Sequence, residues 1–171
     1  ILQALSHLFA AKERMEKDER PPAEFFRMAI GFFQNFADAY HHFKEEYLMF
    51  GLLAQKKKGE LDRELGMLRY EHDRCRNYIA EMENSLAGYG DNDEIATVTL
   101  LENLSPCISL LKRHIHKEDN IFFLMVDGEL SEEEDQLLVE RFNHEAEKMQ
   151  GTDFMGQNVE LVREMAEIVK K

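Results

Sequence analysis

Tryptophan is absent from the 171 residues, cysteine occurs twice and proline three times. Two cysteines do not make the disulfide framework of a small secreted domain, so a reducing cytoplasm is the expected compartment. Proline and the nine glycines together make up about 7% of the chain, against a usual share near 12%. So few breakers, beside 44% hydrophobic and 32% charged residues, predict long uninterrupted helices. No apolar run approaches the roughly 20 residues that span a bilayer, and no signal-peptide pattern opens the chain. Cations are scarce: 21 Lys and Arg stand against 34 Asp and Glu, a formal charge of −13. That balance repels phosphate backbones and anionic lipid, which disfavours nucleic-acid and membrane partners. The length suits one domain, 1–171. Ile1 already lies in a helical pattern and no initiator Met precedes it, so further sequence is expected upstream.

Six amphipathic segments can be read. The first runs from Ile1 to about Lys17 and stops before Pro21 and Pro22, which suit the first turn of a second helix reaching about Leu53. Lys56, Lys57, Lys58 and Gly59 read as a solvated turn. A third helix spans about Glu60 to Ala87 and ends at Gly88-Tyr89-Gly90. Asp91-Asn92-Asp93 can cap a fourth, from about Glu94 to Met125, with Pro106 as a kink. Ser131 with Glu134 makes a capping box for a fifth helix to about Met149, and a short sixth follows a loop from Gly151 to Gly156. No strand and no repeat is legible. The expected fold is all-α: an antiparallel up-down four-helix bundle over about 1–126, with two additional short C-terminal helices over about 131–170.

Polar residues interrupt the apolar stripes at defined places. The third helix carries Leu61, Leu65, Leu68, His72, Cys75, Ile79, Met82 and Leu86, the alternating spacing of a bundle core position, with His72 where a Leu belongs. The fourth carries Leu100, Leu104, Cys107, Leu111, His114, Glu118, Ile121 or Phe122, and Met125. His114 and Glu118, four apart, share one face, whereas His116 and Lys117 point to solvent. The second repeats the device with Phe26, Ile30, Phe33, Ala37, His41, Glu45, Leu48 and Leu52. His42 and Glu46 are rotated about 100° outward in an α-helix, which places them around that stripe or on the surface.

A lone buried Glu costs several kcal/mol unless it is neutralised, paired or metal-bound. Internal Glu–His ion pairs in a metal-free bundle are therefore one reading, and His72 taken alone reads first as a hydrogen-bonded core histidine. Five such groups converging in one core instead match the donor inventory of a non-haem di-iron or related site.

At these residues the sequence resembles the hemerythrin-like, HHE cation-binding family. The resemblance is carried by 36–46 (Phe36 through His41, His42, Glu45 and Glu46), by Glu71-His72-Asp73, and by 114–122 (His114 through Glu118 to Phe122). It covers nearly the whole chain. It implies that His41, His72 and His114 are terminal metal ligands and that Glu45 and Glu118 bridge two non-haem irons, joined further by an oxo or hydroxo group. It also implies a diatomic ligand such as dioxygen or nitric oxide, bound or sensed at iron. The alternative is a di-iron enzyme: an oxidase, peroxidase, nitric oxide reductase or cluster-repair protein. Hemerythrins proper have two His on the third helix and Asp at +5 on the fourth. Here Leu68 and Arg76 flank His72, and Glu118 stands at +4, closer to the broader bacterial branch. A first-helix ligand of the family would fall a few residues before Ile1, since His7 points away from the face of Ile1, Leu2, Leu5, Leu8 and Phe9.

Other features read more plainly. Cys75 and Cys107 lie on core seams and suit buried inert thiols, with a redox disulfide as the sharper alternative. Phe25, Phe32, Phe36, Phe43 and Phe50 form a second stripe on the second helix, to be covered by the last two helices or by a second copy in a homodimer. Tyr40 and Tyr47 suit core packing or support near the ligands. His144 is expected at the surface.

Overall fold

The computed structural model describes residues 1–56, 59–149 and 153–170, with Glu60 and Met149 described as backbone only. Among these residues there are six helices and no strand. Helix α1 is Leu2–Met15; α2 runs over 23–53, opening with Ala23–Phe32 and closing with Phe50–Leu53; α3 is Gly59–Gly90. Helix α4 runs over 94–127, most of it Glu94–Lys117, and passes through Pro106. Helices α5, Glu132–Met149, and α6, Phe154–Val169, follow. None is long and apolar enough to cross a membrane.

The boundaries have local causes. Asp93 accepts bonds from the amides of Ile95 (2.7 Å) and Ala96 (3.3 Å), capping α4. Asn92 takes a positive φ of 63°, tolerable for Asn, in the turn between α3 and α4. That turn lets the helices meet so closely that a Cβ on Gly88 would stand 2.7 Å from the Ala96 Cβ. Ser131 and Glu134 close the expected capping box: the Ser131 amide donates to Glu134 Oε2 at 2.8 Å and the Glu134 amide to Ser131 Oγ at 3.3 Å. Lys57 and Lys58 of the expected turn, and Gly151 of the expected loop, lie outside the described residues. Helix α6 starts at Phe154, before Gly156 rather than after it.

The first four helices run up and down. Phe26 meets Tyr89 (ring centroids 5.3 Å apart), Gln34 bonds Glu83 (2.7 Å) and His42 stacks on His72 (3.9 Å), a falling register that makes α2 and α3 antiparallel. Helix α6 lies on the outer side of α2, where Phe154 stacks on Phe36 and touches Tyr40. Helix α5 brings Phe142 near Lys44, whose ammonium sits 4.0 Å over Tyr40. The phenylalanine stripe is thus covered in part by the last two helices, but Phe50 departs from it: it turns inward against Phe122 and His72.

The core is divided. A large apolar cluster of α1, α2, α3, α4 and α6 ends at Ala37, Cys75 and Leu111. A smaller one begins at Met49, Leu68 and Phe122 and includes Leu138 of α5. Between them lies a polar layer of buried His42, Glu45, His72, His114 and Glu118.

Candidate metal centre

Helix α3 delivers its residue as the spacing requires. Leu61, Leu65, Leu68, His72, Cys75, Ile79, Met82 and Leu86 are all buried. On α4 the stripe holds to Glu118; beyond it Phe122 and Val126 are buried, whereas Ile121 is exposed and the expected Met125 is half-buried.

On α2 it holds without exception only to Ala37, and beyond it Glu45 alone of the stripe stays buried. Beyond that point His41, Leu48 and Leu52 are half-buried, whereas His42, Met49 and Leu53 are buried. The seam has slipped by one residue. The cause is the winding: Phe33–His42 and Lys44–Met49 are π-helical, with i→i+5 bonds such as Phe43 N–H to Asp38 O and Phe50 N–H to Glu45 O. A π turn advances by roughly 80° per residue rather than 100°, so each such stretch delays the seam. His42, expected around the stripe or at the surface, is only 3% exposed. His41, expected in the seam, keeps 32% of its side chain exposed. A third π turn, Glu118–Phe122, carries Glu118.

The side chains form two overlapping donor groups. His42, Glu45, His72 and His114 offer ligand atoms within 4.8 Å of one another, as do His41, Glu45 and Glu118. All five expected donors are therefore brought together, and His42 is added. His72 Nε2 lies 3.2 Å from His114 Nε2, 3.5 Å from Glu45 Oε2 and 4.0 Å from Glu118 Oε1. His114 Nε2 is 2.9 Å from Glu118 Oε1, and His41 Nε2 is 3.4 Å from Glu45 Oε1.

The outward ring nitrogens are tied. Glu46 stands 2.6 Å from His72 Nδ1, Glu71 3.0 Å from His114 Nδ1, and Asp38 3.1 Å from His42 Nδ1. Carboxylates accept, so in neutral rings the proton belongs on Nδ1 and Nε2 is left as a bare lone pair. Lys117, expected in solvent, holds Glu71 at 2.8 Å. Glu46, Glu71, Asp38 and Lys117 are what the stripes alone did not assign. Only Asp38, four residues before His42, left a signal along its own helix; Glu46, Glu71 and Lys117 act on partners from another helix.

The layer's inner side is short of hydrogen-bond donors. Both oxygens of Glu45 and Oε1 of Glu118 are buried with no hydrogen-bond donor. Burial and the neighbouring Glu118 push the Glu45 carboxyl up to about 9. Burial, then His42, lowers His41 to about 4 and holds His72 far below the usual imidazole range. Burial alone would lower His114 too, but Glu118 and Glu71 outweigh it and raise it. Nitrogen and oxygen ligand atoms thus converge on one another, and a cation that takes the place of the protons Glu45 and His114 tend to keep resolves that arrangement.

Elsewhere, His116 is exposed and bonds Asn120, and His144 is exposed. His7 is half-buried rather than at the surface, and it belongs to neither donor group. Tyr47 is exposed, and Tyr40 packs against Phe36 and Phe154. Cys75 and Cys107 are buried free thiols; contact with Cys75, then burial, pushes the Cys107 thiol up.

Fold and layer define a class: a helical bundle with a buried His and carboxylate site for cations. The family described as Hemerythrin HHE cation binding domain matches residues 1–126, and the chain belongs to it. No curated protein and no solved structure matches the chain.

Proposed function

We propose that the chain binds two non-haem irons between the two apolar clusters and uses them to bind or sense a small diatomic ligand, dioxygen or nitric oxide. The observation that carries this reading is Glu45: it belongs to both donor groups, and neither of its buried oxygens has a hydrogen-bond donor. A carboxylate in that state suits bridging two cations, with Glu118 beside it.

When bound, iron supplies a redox-active centre with coordination positions that four imidazoles and two carboxylates leave open. The chain's own residues do the rest. Neutral His41 and His72 present lone pairs rather than charge. Glu46 and Glu71 fix the rings of His72 and His114 by their outward nitrogens. Phe50 and Phe122 close the layer on one side with apolar rings and exclude water there. His41, half-exposed, marks the side on which a small ligand enters.

The test is iron content after anaerobic reconstitution, with absorption spectra under air and under argon. About two irons per chain, and oxygen-dependent bands that reverse on degassing, are expected; less than about 0.2 iron per chain sinks the proposal. Catalytic loss of peroxide or nitric oxide would overturn the carrier or sensor reading in favour of an enzyme.

A further inference from the structure

Two of the histidines at the centre are oriented by carboxylates of α2, and both carboxylates are held by one side chain of α3. Arg76 places NH2 2.6 Å from Glu46 Oε1, the oxygen that meets His72 Nδ1. Its Nε lies 2.8 Å from Asp38 Oδ1, the oxygen that meets His42 Nδ1. Its NH1 is 2.7 Å from Asp73. A guanidinium is a rigid planar fork, so these bonds cannot be adjusted independently. His114 is served separately, by Glu71 and Lys117.

We propose that Arg76 is a positioning residue for the centre: through Glu46 and Asp38 it sets the ring orientation and the Nδ1–H tautomer of His72 and His42, neither of which it hydrogen-bonds. This rests on reading the layer as a metal site. A carboxylate held against Nδ1–H makes Nε2 a stronger donor and stops the ring from turning. The carboxylate holds that place because the fork neutralises and anchors it. Since one fork serves two histidines on different helices, its removal loosens two donors at once. It also unties the π-helical stretch of α2 from α3 at the level of the centre. Arg76 further lines a cavity of about 250 Å³ with Asp38, His42 and Cys75, through which a small cation can reach the place of its head group.

The experiment uses the full chain and two readouts: Fe(II) affinity by anaerobic competition with a chelator, and histidine nitrogen NMR on the metal-free protein. Arg76→Ala is expected to weaken Fe(II) binding by about 10- to 100-fold and to replace the single tautomer of His72 and His42 by a mixture. Millimolar guanidinium should restore part of both. Arg76→Lys, which keeps the charge without the fork, should fall between. Arg74→Ala, which removes a cation from the exposed side of the same helix, should leave both unchanged.

Glu46→Gln and Asp38→Asn keep the test open should Arg76→Ala not fold: each should disturb one histidine, His72 or His42. Unchanged tautomers in the folded Arg76 variants, or an equal loss in Arg74→Ala, overturn the proposal. Wild-type protein that takes no iron yet loses its tautomers in Arg76→Ala overturns the metal reading and leaves the positioning role standing.

Discussion

Helices α2 and α3 meet at the same polar layer but reach it by different windings. Helix α3 is α-helical throughout Gly59–Gly90 and contributes His72 from an unbroken seam. Helix α2 is π-helical over Phe33–His42 and again over Lys44–Met49, and contributes His41, His42 and Glu45. The regular helix can place one donor per turn on a face. The wider helix brings two consecutive histidines near one carboxylate, one of them buried and the other half-open. Extra donors are thus gained by changing the pitch, at the cost of poorer local hydrogen bonding that the packing of α3, α5 and α6 must offset.

The comparison can be broken most forcefully at Glu45. Glu45→Ala removes the one residue common to both donor groups, and iron content should fall below about 0.2 per chain while far-UV dichroism stays helical. Retained stoichiometric iron would mean that the π segment is not central. The next test lies within the segment. If the slipped seam governs, His42→Ala should weaken Fe(II) binding about tenfold more than His41→Ala, within the range that loss of a ligand or its support produces; the reverse order would restore the α-helical phase.

A smaller effect concerns pH. The neutral Glu45 carboxyl is favoured in the metal-free fold, with its pKa raised from 4.5 to about 9. Its stabilising contribution is therefore complete below the ordinary value and is lost as pH rises through about 9. The melting temperature of the metal-free protein should decline from pH 7 to 10, and bound metal, which takes the carboxylate form, should flatten that decline. Parallel profiles would argue against the carboxylate serving the cation. Smallest of all, His116→Ala should change neither iron content nor melting, because that ring is exposed on the far side of α4 from His114.

Much of this architecture was legible in the residues. The Pro pair, the Asp93 cap and the Ser131–Glu134 box mark helix starts by chemistry that acts within four residues, so they survive any tertiary context. The seam of α3 was legible for the same reason, since its winding is the one the spacing assumes. His42 was not, because a one-residue slip begins beyond Ala37 and nothing in Phe36 to His42 announces a π turn. The roles of Lys117 and Arg76 were hidden too: each depends on a partner or a histidine supplied by another helix, and spacing along one helix carries no such information. The misread positions gather around the centre, where local preference yields to the site.

The divided core has a consequence for how the protein holds together. Three carboxylate oxygens without donors separate the large apolar cluster from the small one, so the chain by itself leaves that layer frustrated. Without a cation the helices are joined at the layer by its outer pairs, such as Glu46 with His72 and Glu71 with His114, while the inner oxygens stay without donors. A cation held by the two donor groups would add bonds from α2 to α4 and draw the two clusters towards one cooperative unit. The expected signature is a broad unfolding transition of the metal-free protein that sharpens on loading with metal.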